Sequence, residues 1–333
     1  MKVIFSALFV MIPILIIAQI KPAVVKKNLC NPLVIGSIPK KALSFQYELQ
    51  SSFSNNYSEK YGFPITTTPG NINNVQGLRL NYYKNIITKP KAYVTLDMGY
   101  WHSKYAVSKS SPASIFINDF NNNDFHSFTA STNIFKPISA KNFILINASV
   151  ELNGNGKSFK KIGVNNIFAG GAIIYGWKKG FSSMVGIGIL RAYRLGRVIH
   201  IPAFLMNKNF SPKWGIEMLL PARAVVRYTP NKKNIFTAGF DLEGGQFAYA
   251  SNNAALNNTF FQRGEIRPKL GWETALGKNT RFTTNAGLRI NGRMNFTGKY
   301  DGKDLVVENT PATNFFVNVG FHIVNLKTMA KKK

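Results

Sequence analysis

The stretch RFTTNAGLRINGR, Arg281–Arg293, decides the fold. Phe282, Thr284, Ala286, Leu288 and Ile290 share one parity and, Thr284 apart, are apolar. Arg281, Thr283, Asn285, Gly287, Arg289, Asn291 and Arg293 share the other, which is polar and charged. A period of two puts each set on its own side of an extended strand. The run exceeds the roughly 5–6 residues of a soluble strand. It reaches the roughly 9–11 residues that a tilted strand needs to cross a bilayer.

The same rhythm returns on both sides of this stretch. Ala92, Val94, Leu96, Met98 and Tyr100 oppose Tyr93, Thr95, Asp97 and Gly99. Ile144, Ile146, Ala148, Val150 and Leu152 oppose Asn147, Ser149, Glu151 and Asn153. Phe236, Ala238, Phe240 and Leu242 oppose Thr237, Gly239, Asp241 and Glu243. Ile266, Pro268, Leu270 and Trp272 oppose Arg263, Glu265, Arg267, Lys269 and Glu273, and Phe315–Ile323 closes the series against Asn314, Asn318, Gly320 and His322. Weaker strands fit Phe45–Gln50, Leu78–Lys84, Phe128–Phe135, Ile167–Trp177, Ser183–Arg191, Val198–Asn207, Trp214–Leu220 and Ala222–Tyr228. Leu220-Pro221-Ala222 reads as a tight turn, and Pro202 as a bulge or an edge position, because proline cannot donate to a ladder. The longest polar stretches, Ser51–Gln76, Ser103–Asp124 and Ser251–Asn258, read as loops. The fold class is all-β: an antiparallel transmembrane β-barrel, a closed up-and-down meander of about 12–14 strands, an even number as bacterial single-chain barrels have. A soluble periplasmic sandwich would share the alternation but leaves the strand lengths and the charge-free faces unexplained.

Composition agrees. Hydrophobic residues make up 45% and aromatic ones 13%. Charged residues make up 17%, below the roughly 25% of a soluble domain. The formal charge of +28 would suit nucleic acid. The lysines, however, are mostly spread singly or in pairs such as Lys178-Lys179 between the apolar runs, so no nucleic-acid partner is expected. Solvated basic loops are the plain reading; contact with lipopolysaccharide phosphates is the sharper one. Cys30 is the only cysteine, which rules out an internal disulfide.

Lys2 followed by the apolar run Val3–Ile17 and Ala18-Gln19 has the layout of a secretory signal, too short to span comfortably as a helix. The expected organisation is a cleaved signal peptide at 1–18, a periplasmic segment at 19–41, an outer-membrane barrel at 42–326 and a basic tail at 327–333. Beyond Ala18 no apolar run is long enough for a membrane helix, which leaves a closed barrel as the way to cross a membrane.

Chemical motifs are sparse. Gly154-Asn155-Gly156-Lys157-Ser158 ends like a phosphate-binding loop, but Glu151 stands where the pattern needs glycine, and a hairpin turn explains it. His102, His126, His200 and His322 have no metal-site spacing, so neither metal nor cofactor is expected. His126-Ser127 and His102-Ser103 raise a lipid-acting hydrolase, yet adjacent residues on a strand point to opposite faces. No enzyme is expected. The strongest constellation is the polar face near the C-terminus: Arg263, Glu265, Arg267, Lys269, Glu273, Arg281, Arg289 and Arg293, with Asp241 and Glu243 on the preceding strand. These are the candidate lumen-facing residues. An internal salt-bridge network and a sign-selective lumen both account for them, and the arginine excess favours anions in either case. Trp101, Trp177, Trp214, Trp272, Tyr100, Tyr175 and Tyr228 are candidates for interface girdles or for ordinary packing.

With its Ala18-Gln19 boundary, hairpin rhythm and aromatic last strand from Phe315 to Val324, the chain resembles the outer-membrane β-barrel families of unknown function common in Bacteroidota. The stretch Phe204–Tyr228, with Trp214-Gly215-Ile216 and Leu219-Leu220-Pro221-Ala222, shares that likeness. The resemblance implies an outer-membrane location, contact with outer-membrane lipid and lipopolysaccharide, and assembly by barrel machinery. Such barrels often end on an aromatic strand residue, whereas Leu326 here is followed by Lys327–Lys333. The leading functional expectation is a pore or transporter for small solutes, anionic ones included, with a basic lumen face. The alternative is a structural or surface-interaction barrel with a plugged lumen.

Overall fold

Each alternating stretch becomes a strand in the computed structural model, which describes residues 29–60, 67–108, 119–121, 123–193, 198–299 and 304–324. The expected signal peptide and basic tail fall outside these residues. In chain order the strands are β1 (Lys41–Gln50), β2 (Phe53–Glu59), β3 (Thr67–Lys89), β4 (Ala92–Val107), β5 (Asp124–Pro137), β6 (Asn142–Asn155), β7 (Ile167–Lys179) and β8 (Ser183–Ala192). They continue as β9 (Ile199–Asn209), β10 (Trp214–Leu220), β11 (Arg223–Tyr228), β12 (Asn234–Tyr249), β13 (Thr259–Ala275), β14 (Thr280–Thr297), β15 (Leu305–Pro311) and β16 (Asn314–Val324).

Neighbours in sequence pair antiparallel, and the first strand closes on the last, Leu43 opposite Ile323 and Gln50 opposite Phe316. The register runs unbroken into Asn55 opposite Pro311. β1 and β2 are therefore one wall strand with a short interruption, and so are β15 and β16. Ser51 bridges the break: its N–H donates to the Phe315 carbonyl, and its hydroxyl accepts from the Phe315 N–H. The ring is a closed 14-strand antiparallel barrel.

At the end where β1 starts and β16 stops, connections are short, from 90–91 to 229–233. At the other end they reach 108–123. Short periplasmic turns and longer outer loops are the habit of outer-membrane barrels. In the membrane-spanning level the apolar parity points outward. β16 buries Asn314, Asn318 and His322 while Phe315 is 66% exposed. Tyr175 packs on Trp177, and Trp214 on Tyr228, in an outward belt near the short turns. Trp101 instead faces inward, over the Arg263 guanidinium.

Towards the loop end the polarity inverts. Tyr57, Ile72, Tyr105, Phe125, Phe261 and Phe296 are fully buried inside the barrel, while Asn71, Gln76 and Lys104 are exposed outside. At this level the outer face is polar and exposed, and an apolar core fills the inside. That inversion corrects the reading of Ser51–Gln76 as a loop. The stretch is mostly β2 and the start of β3, and most of its described polar residues, though not the buried Asn55, are on the wet face of strands.

One hairpin leaves the wall. β12 pairs with β11 only as far as Asp241 opposite Arg223, then bends at Gly244, whose φ of +147° is a conformation reserved for glycine. Farther up, Ala248 sits opposite Gly154 of β6. Gln246, Phe247, Ala248 and Tyr249 are all buried, as are Phe260, Phe261 and Gln262. With both faces covered, the hairpin tip is a septum. One side meets the aromatic core; the other meets Phe168 and Tyr193. Beside it the β10–β11 hairpin is short and turns at Pro221-Ala222. β9 therefore lacks a neighbour above Phe204, its last residue opposite β10. Pro202 lies in that unpaired part, so it is an edge proline. The Asn209 N–H points to the β8 side, and alternation then turns Pro202, which has no N–H, to the vacant side.

Candidate functional site

Below the aromatic core the inward parity is charged. Glu265, fully buried, accepts from Arg263 Nε at 3.1 Å and Nη2 at 2.6 Å, and from Arg289. Arg267 donates to Glu48 at 2.5 Å and lies 2.7 Å from Glu243. Arg79 forks onto Glu243, with Nη1 at 2.9 Å from Oε1. Gln50 donates to Glu48 at 2.7 Å and accepts from Arg289. The guanidinium of Arg267 also stacks 3.8 Å from the Phe316 ring centre. Four arginines and three glutamates thus form one connected layer in which each carboxylate touches two or more cations. Such pairing is what allows charges to be buried.

Two smaller groups lie nearer the end with the short turns. Asp241 is held by Lys269 and lies 3.5 Å from Arg223. Glu273 is held by Lys41 at 2.9 Å and by Arg281. Between these groups and the arginine layer is a cavity of about 270 Å³, bordered also by Gln46, Asn285 and Asn318.

Nine of the ten expected lumen residues are in these groups. Arg293 is the correction. The β13–β14 register shifts between Gly264 and Glu265, so Glu265 is opposite Asn291 while Gly264 is opposite Arg293. One extra residue in a strand turns the residues beyond it to the other face. Met294, 2% exposed, takes the inward place beside Arg263. Sequence reasoning missed Glu48, Arg79, Lys41 and Arg223. The signal was present in Gln46, Glu48 and Gln50 alternating with Tyr47 and Leu49, and in Arg79 between Leu78 and Leu80.

The stretch before β1 also belongs to the site. Residues 29–40 enter the barrel mouth at the end with the short turns. Lys178 donates to the carbonyls of Asn31 and Leu33. The Ile35 N–H donates to the Phe181 carbonyl at 2.8 Å, and the Ile38 N–H to Glu217 at 2.7 Å. Cys30 and Val34 pack with Phe143, Ile174, Met184 and Leu205. Ile38 forms one border of the charged cavity. Burial pushes the Cys30 thiol up, which lowers its thiolate fraction. In the folded barrel Cys30 is expected to react with a maleimide about tenfold or more slowly than in urea. Mass spectrometry of timed samples checks this; equal rates would mean that the segment is undocked.

The histidines separate. His322 is buried in the lumen, its Nδ1 2.9 Å from Ser44 Oγ. His200 lies on β9 beside Arg191. His102 and His126, far apart in sequence, are directly opposite each other on β4 and β5.

The model of a domain of unknown function, DUF6268, matches residues 109–324. The chain belongs to the DUF6268 family. No curated protein matches it. Among solved structures, this DUF6268 chain is similar to the COG4313 outer membrane channel of Pseudomonas putida F1, at 12% identity and a TM-score of 0.41, covering 92% of this chain and 100% of that one. The P. putida toluene transporter TodX is similar at 10% identity and a TM-score of 0.37, covering 86% and 91%. The NanC porin is similar at 10% identity and a TM-score of 0.36, covering 85% and 100%.

Proposed function

We propose that this protein is an outer-membrane transport barrel for small anionic solutes, closed along its axis at rest, with the charged cavity as the solute site. The observation that carries the reading is the charge balance of the three groups. Arg79, Arg263, Arg267 and Arg289 face Glu48, Glu243 and Glu265; Lys269 and Arg223 share Asp241; Lys41 and Arg281 share Glu273. Among the described residues each group has one cation more than it has carboxylates. A surplus of fixed positive charge in a low-dielectric cavity attracts anions and repels cations. The segment at 29–40 and the aromatic core stand at the two ends of the route, so passage needs one or both to move.

The test is flux through liposomes holding the purified barrel. A small anion is expected to pass faster than a cation of the same size. Arg223→Glu with Lys269→Glu, both at partly exposed side chains, is expected to reverse that order. Flux that ignores this reversal would leave the cavity charge without a role in transport.

A second reading has its own observation. The aromatic core is packed as a protein interior is, which favours a structural barrel with a permanently closed lumen. It predicts no flux of either sign.

A further inference from the structure

His102 and His126 face each other across the β4–β5 ladder, and Asp124 stands two residues before His126. Inward neighbours Ser103, Tyr105 and Phe125 are buried in the barrel. The other parity, which holds the two histidines and Asp124, is therefore on the outer face. It lies at the level where the outer wall has become polar, and the His102 and Asp124 side chains are 24% and 35% exposed. An ion in water can reach them.

One donor atom from each of the three residues lies within 4.8 Å of the other two. His102 Nε2 is 3.1 Å from Asp124 Oδ2, and the two imidazole centres are 5.0 Å apart. Tetrahedral zinc with bonds of about 2.0–2.1 Å holds its ligand atoms about 3.3–3.4 Å apart. One edge of that tetrahedron is already close to its length at 3.1 Å, and the remaining edges, at most 4.8 Å, have to shorten when an ion binds. The surroundings resemble those of a metal ligand. Tyr100 Oη lies 2.9 Å from His126 Nδ1; in the tautomer where the Nδ1–H donates to that oxygen, Nε2 is left to bind a metal, as in metal-bound histidines whose other ring N–H is held by an outer partner.

We propose that His102, Asp124 and His126 bind a divalent transition-metal ion of the zinc class at the outer rim of the barrel. Two imidazoles and one carboxylate suit zinc, copper or nickel better than calcium or magnesium, which prefer oxygen ligands throughout. Three protein ligands leave the remaining position to water or to an oxygen anion. The site depends on strand register, so no spacing in the sequence announces it. It is independent of the transport reading, because it lies on the opposite side of the wall from the cavity.

The test is calorimetric titration of zinc chloride into the chelator-stripped full-length barrel, with the gel shift on heating as the control for folding. One ion per barrel is expected, in the micromolar range. His102→Ala and His126→Ala are each expected to weaken binding about 100-fold, and Tyr100→Phe about tenfold. His102→Gln and His126→Gln serve if the alanine variants fail to fold. His200 and His322 remain in every variant, so loss of binding assigns the site. Absence of binding below millimolar zinc, or unchanged binding in the His102→Ala/His126→Ala double variant, would overturn the proposal and leave a hydrogen-bonded pair.

Discussion

Glu265→Ala is expected to destabilise the folded barrel by about 3–5 kcal/mol, the range seen when one partner of a buried ion pair is removed. Glu265 is 0% exposed and sits between Arg263 and Arg289, which are themselves buried. Alanine leaves both guanidinium groups facing each other across a space with no carboxylate, and each keeps its desolvation penalty. The nearest remaining anions, Glu48 and Glu243, are already engaged by Arg267 and Arg79, so the loss is not shared out cheaply. Glu265→Gln keeps one acceptor oxygen, carries no charge and turns an NH2 donor towards a guanidinium, so it should recover only part of the loss and fall between alanine and the native residue. Arg223→Ala is the control. Its side chain is 48% exposed and lies 3.5 Å from Asp241, which Lys269 also holds; a change within about 1 kcal/mol is expected for such a pair. Urea unfolding followed by mobility on unheated gels measures all three. If Glu265→Ala unfolds with Arg223→Ala, water has access to the arginine layer and the lumen is wetter than the packing shows.

The same layer shows what a sequence can reveal about a barrel. Arg263, Glu265, Arg267, Lys269 and Glu273 were legible because the lipid opposite them demands an apolar parity, and one polar residue in two then marks the lumen. The tight turn at Leu220-Pro221-Ala222 was legible for a similar reason, and Pro202 was narrowed to a bulge or an edge place, of which the structure has the edge: proline has few positions in a ladder. The features that escaped notice lie where the environment of the two faces changes. Tyr105 and Val107 continue β4, but they point into an apolar core, with Lys104 and Ala106 outside. An expectation of apolar residues outside loses the strand there. Arg293 was misplaced by a single bulge, which no propensity records. The docking of 29–40 escaped because its ties, from Lys178 and Glu217, reach more than a hundred residues along the chain. The facing of His102 and His126 is likewise a matter of register alone.

Phe261→Ala tests whether the aromatic core is a gate or a permanent seal. Phe261 is 0% exposed and its ring centre lies 4.5 Å from that of Phe125, 5.1 Å from Phe296 and 5.5 Å from Phe120. Removing it is expected to cost about 3–5 kcal/mol, the usual loss for a buried phenylalanine that leaves a cavity. Phe315→Ala, on the outward face and 66% exposed, opens no cavity and should cost clearly less. The functional consequence is the sharper part. Phe261 stands two residues from Arg263 on the same inward parity, so the space left by its ring joins the floor of the core to the top of the charged layer. In the transport reading, water and small anions gain a path from the loop end into the charged groups. Anion flux should rise above that of the native barrel while the native order of anion over cation is kept. In the structural reading the barrel loses the same stability and stays closed, because collapse of the remaining rings reseals it. Stability alone therefore does not separate the two readings. The sign and size of the flux in a variant that still folds does, because a gate weakened at its centre leaks in the direction its fixed charge favours.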